Sequence, residues 1–454
     1  MSLKVSVSGI RGIWGESLTL EELLKYTRAF GLFIRKRATS QRPRVLIGRD
    51  GRKTGPMIVS YVSAILNSLG IDVIDAGLVP TPTVLFGVRE WNLDGGVIVT
   101  ASHNPIEWNA LKFVVHGGTF TTENDLSEIL DSLPSPSFHA KWDEIGTTTL
   151  TTEIAQAHID RILSHIDTRA IQSRHFTVVL DPVNSAGGPI TIQLLKALGC
   201  HVIGINTEVT GNFHRVAEPT PANLSHLSEI IQKEKADIGF AQDPDADRLV
   251  VVDARGRILS EEWTLALAVR HVLSQNPGPV VVNLSTSLLS EMFAKTYNQP
   301  CYYTKVGEAN VVEGIKKYHA RIGGEGNGGV IYPTMNLGRD SLVGISLILE
   351  AMALSGKSLS ELVSDFPQLF SIKEKFSKIA DIPTLAKKLA KHYPDATLNS
   401  TDGVRMDLSR GKDRLWVHIR PSNTEPIMRL IGESTDKAWL TSVIEEIRIL
   451  LEKL

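Results

Sequence analysis

The sequence has 454 residues, of which 42% are hydrophobic and 22% are charged, as in an average globular protein. Its 48 basic and 50 acidic residues give a net charge of −2, which argues against a general nucleic-acid binder and a disordered acidic protein. Two cysteines cannot hold a zinc cluster by themselves. The length of the chain predicts two to four domains. We find neither a signal peptide nor an apolar run of the ~18 residues that span a bilayer, so we expect no membrane association and a cytoplasmic location.

Short β-branched segments occur along the chain in three sets of three, which indicates an internal repeat. Helical patterns with apolar residues three and four positions apart lie between them, at 57–69, 190–198 and 288–297. Such alternation is typical of βαβ units with strands buried on both faces. The predicted strands are 45–48, 73–76 and 96–99, then 178–181, 202–205 and 237–240, then 280–283, 302–305 and 320–323.

The C-terminal part has a different pattern, with helices predicted at 382–393 and 437–454 and a strand at 415–419. We therefore predict an α/β protein with three similar mixed-sheet α/β domains in series and a smaller C-terminal α+β domain. The joints are placed at the threonine-rich stretch 147–152, at 254–256 and near Pro367. The predicted domains are residues 1–150, 151–254, 255–368 and 369–454.

The first polar loop is Thr-Ala-Ser-His-Asn-Pro at 100–105, directly after a predicted strand. In open α/β sheets ligands bind beyond the carboxyl ends of strands, where Ser102 beside His103 would serve as a nucleophile. The alternative is an ordinary turn, for which serine, asparagine and proline are common. The esterase motif G-x-S-x-G is absent here, so ordinary serine hydrolysis is not indicated.

The second loop contains Asp243, Asp245 and Asp247, followed by Arg248. Carboxylates at alternate positions can converge on one cation, and oxygen-only ligands suit Mg²⁺. An EF-hand is excluded because Arg248 stands where its loop continues and Ala254 occupies the twelfth position. The alternative is a solvated acidic turn.

Two further loops suit a phosphorylated sugar. The loop Gly-Glu-Gly-Asn-Gly-Gly at 324–329 matches the dinucleotide fingerprint formally, but a strand-like run follows it instead of a helix. Its carboxylate and amide suit hydrogen bonds to sugar hydroxyls, and a glycine-rich turn is the alternative. The segment 420–426, with Arg429 after it, offers guanidiniums and hydroxyls for a phosphate, unless it is a plain polar loop.

These loops, together with Ser-Gly-Ile-Arg-Gly at 8–12, occur in the order of the motifs of the α-D-phosphohexomutases. The sequence resembles this family over essentially its whole length. The resemblance implies four domains around a central cleft and an isomerase that interconverts hexose 6-phosphate and hexose 1-phosphate. It also implies a phosphoserine, a bisphosphorylated hexose intermediate, Mg²⁺, and hexose 1,6-bisphosphate as activator. The partners are expected to be small sugar phosphates, bound by a monomer or homodimer.

The resemblance also assigns roles to individual residues. The phosphoserine would be Ser102, which would bind Mg²⁺ together with Asp243, Asp245 and Asp247. The residues expected to assist catalysis are Arg11, His103, Lys112 and Arg248. The residues expected to bind the substrate are Glu325, Asn327, Arg420, Ser422, Asn423, Thr424 and Arg429.

This chain departs from several subfamilies that have histidine where Gly329 stands. A general acid or base is thus missing there, and Lys112 or His103 is expected to replace it. The loop resembles that of proteins assigned as phosphoglucosamine mutases, which makes glucosamine phosphate the expected substrate. Glucose phosphate and mannose phosphate are the alternatives, followed by a Mg²⁺-dependent sugar phosphatase and a non-catalytic sugar-phosphate sensor.

Overall fold

The computed structural model of the chain describes residues 2–133, 138–377, 381–421 and 427–452. The first sheet has the strand order β1-β2-β6-β5-β3-β4-β8, with β7 paired to β6. Its elements are β1 (Lys4–Ser6), β2 (Gly9–Ile13), α1 (Leu20–Arg37), β3 (Arg44–Arg49), α2 (Gly55–Ser68), β4 (Asp72–Leu78), α3 (Thr81–Glu90), β5 (Gly95–Val99), β6 (Trp108–Val115), β7 (Thr119–Phe120), α4 (Glu123–Asp131) and β8 (Thr148–Leu150). In β3, Val45 and Ile47 face one hydrophobic core and Leu46 faces another, so both sides of the sheet are covered.

The second and third sheets repeat one plan, with the orders β10-β9-β11-β12 and β14-β13-β15-β16. In each sheet three strands are parallel and the last is antiparallel. The elements are α5 (Glu153–Leu163), α6 (Thr168–Gln172), β9 (Thr177–Asp181), α7 (Gly187–Ala197), β10 (His201–Gly204), a 3₁₀ turn (Pro221–Asn223), α8 (Ser225–Glu234), β11 (Ile238–Gln242), β12 (Leu249–Asp253), α9 (Glu262–Gln275), β13 (Val280–Asn283), α10 (Leu288–Thr296), β14 (Cys301–Thr304), α11 (Glu308–Tyr318), β15 (Ile322–Glu325), β16 (Gly329–Ile331), α12 (Ser341–Ser355) and α13 (Leu359–Ser364). One hydrophobic core runs through both units, so they pack as neighbours.

The fourth sheet is antiparallel throughout, in the order β17-β21-β20-β19-β18. Its elements are β17 (Phe370–Phe376), α14 (Ile382–His392), β18 (Thr397–Asn399), β19 (Val404–Arg410), β20 (Asp413–Pro421), β21 (Met428–Ser434) and α15 (Lys437–Glu452). Apolar residues of α14 and α15 cover one face, where Val417 and Ile419 point. The other face is polar, and its Arg405 donates to the carbonyl of Leu284 in the third unit at 2.8 Å.

The predicted fold class is confirmed, with mixed sheets in all three repeats. Within the threonine-rich stretch, residues 148–150 form the edge strand β8, which pairs in parallel with β4. β-Branched threonines suit such an exposed edge. The domain limits proposed above stay predictions. Within the described ranges, no helix combines the length and apolar character needed to cross a membrane.

Candidate active site

Loops from three sheets meet at one point of the molecule. The Ser102 loop follows β5, the aspartate loop follows β11, and the glycine-rich loop joins β15 to β16. The Ser102 hydroxyl donates to Asp243 at 3.0 Å, and Arg339 bonds to both Asp247 and Glu325. The carboxyl ends of the strands therefore bring the three predicted loops together, as expected for a binding site in open sheets.

Ser102 has a backbone conformation that serine rarely adopts. Its φ of +50° lies in the left-handed region, which costs about 1–2 kcal/mol for a residue with a side chain. Its amide donates to Thr100 Oγ1 at 2.9 Å, and its carbonyl accepts from Arg52 at 2.7 Å. These bonds direct the Ser102 hydroxyl towards Asp243 and leave it 3.4 Å from His103 Nδ1.

Arg52, which the sequence analysis did not single out, supports this loop. Its guanidinium is buried, donates to four carbonyl groups of residues 102–108 at 2.5–2.9 Å, and pairs with Asp50 at 3.0 Å. Asp50 also accepts from Thr100 Oγ1 at 2.6 Å. A buried charge with this many partners fixes geometry, because any displacement would leave polar groups unsatisfied. The available signal was the polar segment 49–52 directly after a predicted strand.

Asp243, Asp245 and Asp247 are buried and converge, with one oxygen of each within 4.8 Å of the others. The Oδ2 atoms of Asp245 and Asp247 accept from cationic side chains. Their Oδ1 atoms are buried and have no hydrogen-bond partner among the described residues. Leaving buried acceptors unsatisfied is costly, and a cation would satisfy both. The three carboxylates therefore fit Mg²⁺, which prefers oxygen ligands.

The surroundings of these carboxylates give them different proton affinities. Burial raises the pKa of Asp245, but Lys112 Nζ at 2.7 Å and Thr81 Oγ1 at 2.6 Å outweigh it and hold that pKa below its ordinary value. Asp243 is approached by Arg248 Nε only to 4.0 Å. Burial and the two neighbouring aspartates therefore raise the pKa of Asp243 well above its ordinary value.

The residues predicted to assist catalysis lie around the same point. Arg11 donates to Asn104 Oδ1 in the Ser102 loop at 2.7 Å. Arg248 Nε lies 3.8 Å from Asp247 Oδ1, and Lys112 forms an ion pair with Asp245. The positive charge of Arg248, then burial, then Arg11 lower the pKa of His103 well below its ordinary value. His103 is therefore a neutral imidazole near Ser102, able to accept a proton.

Glu325 and Asn327 are placed differently within the sugar loop. Glu325 Oε1 accepts from Asn283 at 2.8 Å and from the Gly307 amide at 2.9 Å, and Oε2 accepts from Arg339 at 2.9 Å. Burial raises the pKa of Glu325, but these partners outweigh it and keep that pKa low. Asn327 Oδ1 is buried and has no partner among the described residues. The loop thus offers a fixed carboxylate and a vacant acceptor, and the strand β16 after it rules out the dinucleotide fingerprint.

Arg420 and Arg429 lie opposite each other on β20 and β21. Arg420 is 8% exposed and its Nε has no hydrogen-bond partner among the described residues, while burial lowers its pKa. Two adjacent guanidiniums suit a phosphate group. The other residues predicted for this clamp, Ser422, Asn423 and Thr424, lie outside the described residues.

His418 connects the fourth domain to the third. Its Nδ1 lies 2.8 Å from Ser285 Oγ, and its Nε2 lies 2.6 Å from the carbonyl of Asp402. Ser287 Oγ reinforces the junction by donating to Glu433 at 2.6 Å. Burial lowers the pKa of His418 to about 4. The imidazole is therefore neutral, accepting from the serine and donating to the carbonyl.

We expect acid to weaken this junction through His418. Since the folded-state pKa of about 4 lies below the ~6.5 of an unfolded chain, the stability that His418 contributes is present above pH 6.5. It is lost as the pH falls towards 4, by up to about 3 kcal/mol. The measurement is the melting temperature between pH 7.5 and 4.5, which should fall less steeply for His418→Gln than for the parent. His201→Gln, at an exposed position, should keep the parental slope, and an equally steep fall for His418→Gln would contradict the prediction.

Three α/β units and an antiparallel fourth one, with a serine facing three aspartates, define the architecture of a phosphohexomutase. Family models of phosphoglucomutase/phosphomannomutase match along the chain: α/β/α domain I at 2–140, domain II at 156–256, domain III at 260–370 and the C-terminal domain at 373–450. The chain belongs to this family. It is thus an isomerase that transfers a phosphoryl group within hexose phosphates.

Similar proteins carry related names. The chain is 37% identical to a phosphoglucomutase/phosphomannomutase of Thermococcus kodakarensis over 442 residues, 96% of each chain. It is 32% identical to a phosphoglucosamine/phosphogalactosamine mutase of Sulfurisphaera tokodaii over 458 residues, 98% of each. Among solved structures, a phosphoglucomutase/phosphomannomutase family protein from Burkholderia thailandensis aligns with a TM-score of 0.86 at 27% identity, covering 100% of this chain and 98% of that one.

Proposed function

We propose that the chain interconverts glucosamine 6-phosphate and glucosamine 1-phosphate, with a phosphoryl group carried by Ser102 between substrates. The observation that carries the proposal is the contact of the Ser102 hydroxyl with Asp243, beside two carboxylates that each have one oxygen without a hydrogen-bond partner among the described residues. A serine at this position would receive a phosphoryl group next to a cation site. Phosphoryl transfer needs this positioning and charge neutralisation more than it needs covalent chemistry by the protein.

Each residue near Ser102 has a task in the transfer. The attacking substrate hydroxyl forms a bond to phosphorus as the bond from phosphorus to Ser102 Oγ breaks, and its proton passes by way of a base to the departing Ser102 Oγ. His103 suits that role, because it is neutral and a phosphoryl dianion beside it would favour its protonated form. Lys112 is held by its ion pair with Asp245, so it serves to fix the loop and balance charge. Arg11 and Arg248 place positive charge near the transferred group.

The metal site has a defined composition in this proposal. The phosphoryl oxygens of Ser102 and the carboxylates of Asp243, Asp245 and Asp247 would hold Mg²⁺. When bound, the ion would withdraw negative charge from the phosphoryl group.

The second phosphate site makes the reaction a mutase reaction rather than a hydrolysis. The first transfer yields a hexose 1,6-bisphosphate, which has to turn so that its other phosphate faces Ser102. Arg420 and Arg429 would bind whichever phosphate is not reacting, while Glu325 and Asn327 bind the ring hydroxyls. Hexose 1,6-bisphosphate should therefore activate the enzyme by phosphorylating Ser102. The cytoplasmic location and the choice between monomer and homodimer stay predictions.

The substrate preference is expected to be broad at C2 of the sugar. The polar side chains of the sugar loop would face hydroxyls away from C2, so an amine, a hydroxyl or an inverted hydroxyl there is discriminated weakly. A hydrogen bond lost at an exposed edge costs about 0.5–1.5 kcal/mol, up to roughly tenfold in rate. We expect glucosamine phosphate to be preferred, with measurable activity on glucose and mannose phosphates and poor activity on N-acetylglucosamine phosphate because of its bulk.

The test is kcat/KM for these four sugar phosphates, each with its bisphosphate activator. Ser102→Ala is the control for contaminating activity. A preference above ~1,000-fold for one non-acetylated sugar, equivalent to about 4 kcal/mol, would show that C2 is recognised directly. The argument that C2 is discriminated weakly would then fail, and a preference for glucose or mannose phosphate would also rule out glucosamine phosphate as the main substrate. No turnover with any of the four sugars would contradict the mutase mechanism itself.

A further inference from the structure

Arg339 lies at the centre of a buried charge cluster that the sequence analysis did not find. Its side chain is 10% exposed and makes ion pairs with Asp247, Glu308 and Glu325. An arginine side chain keeps its charge in proteins, so the guanidinium is a cation bound to three acids.

The three carboxylates belong to different parts of the structure. Asp247 is in the aspartate loop after β11, Glu325 ends β15 in the sugar loop, and Glu308 begins α11. Arg339 Nη1 donates to Glu325 Oε2 at 2.9 Å, and Nη2 donates to Asp247 Oδ2. One rigid planar group thus connects the predicted metal loop of the second unit with the sugar loop of the third. A lysine could not reproduce this, because its single ammonium lacks the guanidinium's fork geometry.

The glycine at position 329 is needed for this arrangement. A Cβ atom built on Gly329 would lie 2.2 Å from Arg339 Cδ and 2.7 Å from its Cγ. Any side chain at this position would displace the stem of Arg339. The stem of Arg339 therefore occupies the space that a side chain at position 329 would fill, and through it the guanidinium reaches the aspartate loop and the sugar loop.

Arg339 also orients the groups that a ligand would use. It occupies Oδ2 of Asp247, and the Oδ1 atom of that residue is buried and has no hydrogen-bond partner in the part of the chain that the structure describes. On the other side it fixes Glu325, whose Oε2 accepts, within the described ranges, only from Arg339 and keeps one acceptor site for a sugar hydroxyl. Asp247 and Glu325 are held by the same guanidinium, so a cation that draws Asp247 towards itself would change the position of Arg339 and, through it, that of Glu325. Two ligands that favour the same position of this shared group bind cooperatively.

We propose that Arg339 is a positioning residue that couples cation binding at the aspartate loop to sugar-phosphate binding at the Glu325 loop. The proposal rests on the function proposed above for these two loops. Linkage requires that Mg²⁺ tighten sugar-phosphate binding by the same factor by which the sugar phosphate tightens Mg²⁺ binding. We expect about tenfold in the parent chain, within the usual range for coupled sites.

The test is calorimetry on the full-length chain carrying Ser102→Ala, so that no turnover occurs. Glucosamine 6-phosphate is titrated with and without Mg²⁺, and Mg²⁺ with and without the sugar phosphate. Direct attraction between the cation and the phosphate is common to all variants, so a fall in coupling measures the contribution of Arg339. We expect the coupling to drop below twofold in Arg339→Met and to fall in Arg339→Lys, which keeps the charge.

Two further variants separate coupling from general destabilisation. Arg215→Met removes another buried arginine, one paired with Asp181 at 2.9 Å, and should lower the melting temperature while keeping the coupling. Gly329→Ala keeps every charge and displaces the stem of Arg339, so it should reduce the coupling even if Arg339→Met does not fold.

Parental coupling in Gly329→Ala and in the folded Arg339 variants would overturn the proposal, as would a parent in which both ligands bind independently. A parent that binds neither Mg²⁺ nor the sugar phosphate would instead contradict the function proposed for the two loops, and the coupling with it.

Discussion

Replacing Ser102 with alanine is expected to reduce turnover by at least about 10⁴-fold, an increase of about 5.5 kcal/mol in the barrier. The reason is that the proposed reaction passes through a phosphoryl group on Ser102 Oγ, and alanine removes that atom. Alanine keeps the Cβ, so the backbone strain at φ +50° should be similar in the variant and in the parent. The hydrogen bond lost from Ser102 to Asp243 should cost only about 1 kcal/mol of stability.

Two measurements make this prediction specific. The mass of the intact parent protein should include one phosphoryl group, and that of Ser102→Ala should not. Ser63→Ala removes another buried hydroxyl, one without a hydrogen-bond partner among the described residues, and should retain parental turnover. Turnover of Ser102→Ala within tenfold of the parent would rule out this serine as the phosphoryl carrier.

Asp243→Asn and Asp245→Asn are expected to lower turnover similarly, by at least about 10²–10³-fold, and to change stability in opposite directions. In the metal-free protein, Asp245→Asn leaves the buried Lys112 without its counter-charge at 2.7 Å, which should cost about 3 kcal/mol. Asp243 is a buried acid whose neighbouring aspartates disfavour its charge. Its neutral amide should therefore preserve the metal-free stability or increase it slightly.

The measurements are turnover with and without EDTA and melting temperatures in EDTA. EDTA should abolish the activity of the parent, and added Mg²⁺ should raise the melting temperature of the parent more than that of either variant. Asp253→Asn changes a buried carboxylate at the end of β12 that pairs with Arg257, and should leave the dependence on Mg²⁺ unchanged. Full parental activity in EDTA, or a more stable metal-free Asp245→Asn, would contradict this account of the loop.

The opposite effects on stability expected for Asp243→Asn and Asp245→Asn could not be predicted from the sequence. Alternate spacing predicts three equivalent carboxylates that repel one another, and from that pattern metal-free Asp245→Asn would be expected to gain stability. The structure reverses the expectation, because Lys112 from β6 and Thr81 from α3 both contact Asp245. Residues so distant along the chain leave no local pattern that would connect them.

The sequence by itself determined the repeated α/β plan and the positions of the functional loops. Both follow from local rules: continuous apolar runs form buried strands, and polar loops at strand ends lie at one edge of a sheet. Only the tertiary structure decided which charges face each other. Arg52 and Arg339 look like ordinary surface residues in the sequence, yet both are buried. Arg52 bonds to the Ser102 loop, and Arg339 bonds to the aspartate loop and the sugar loop. A buried arginine depends on carboxylates and carbonyls from distant positions along the chain, and such partners come together only once the chain has folded.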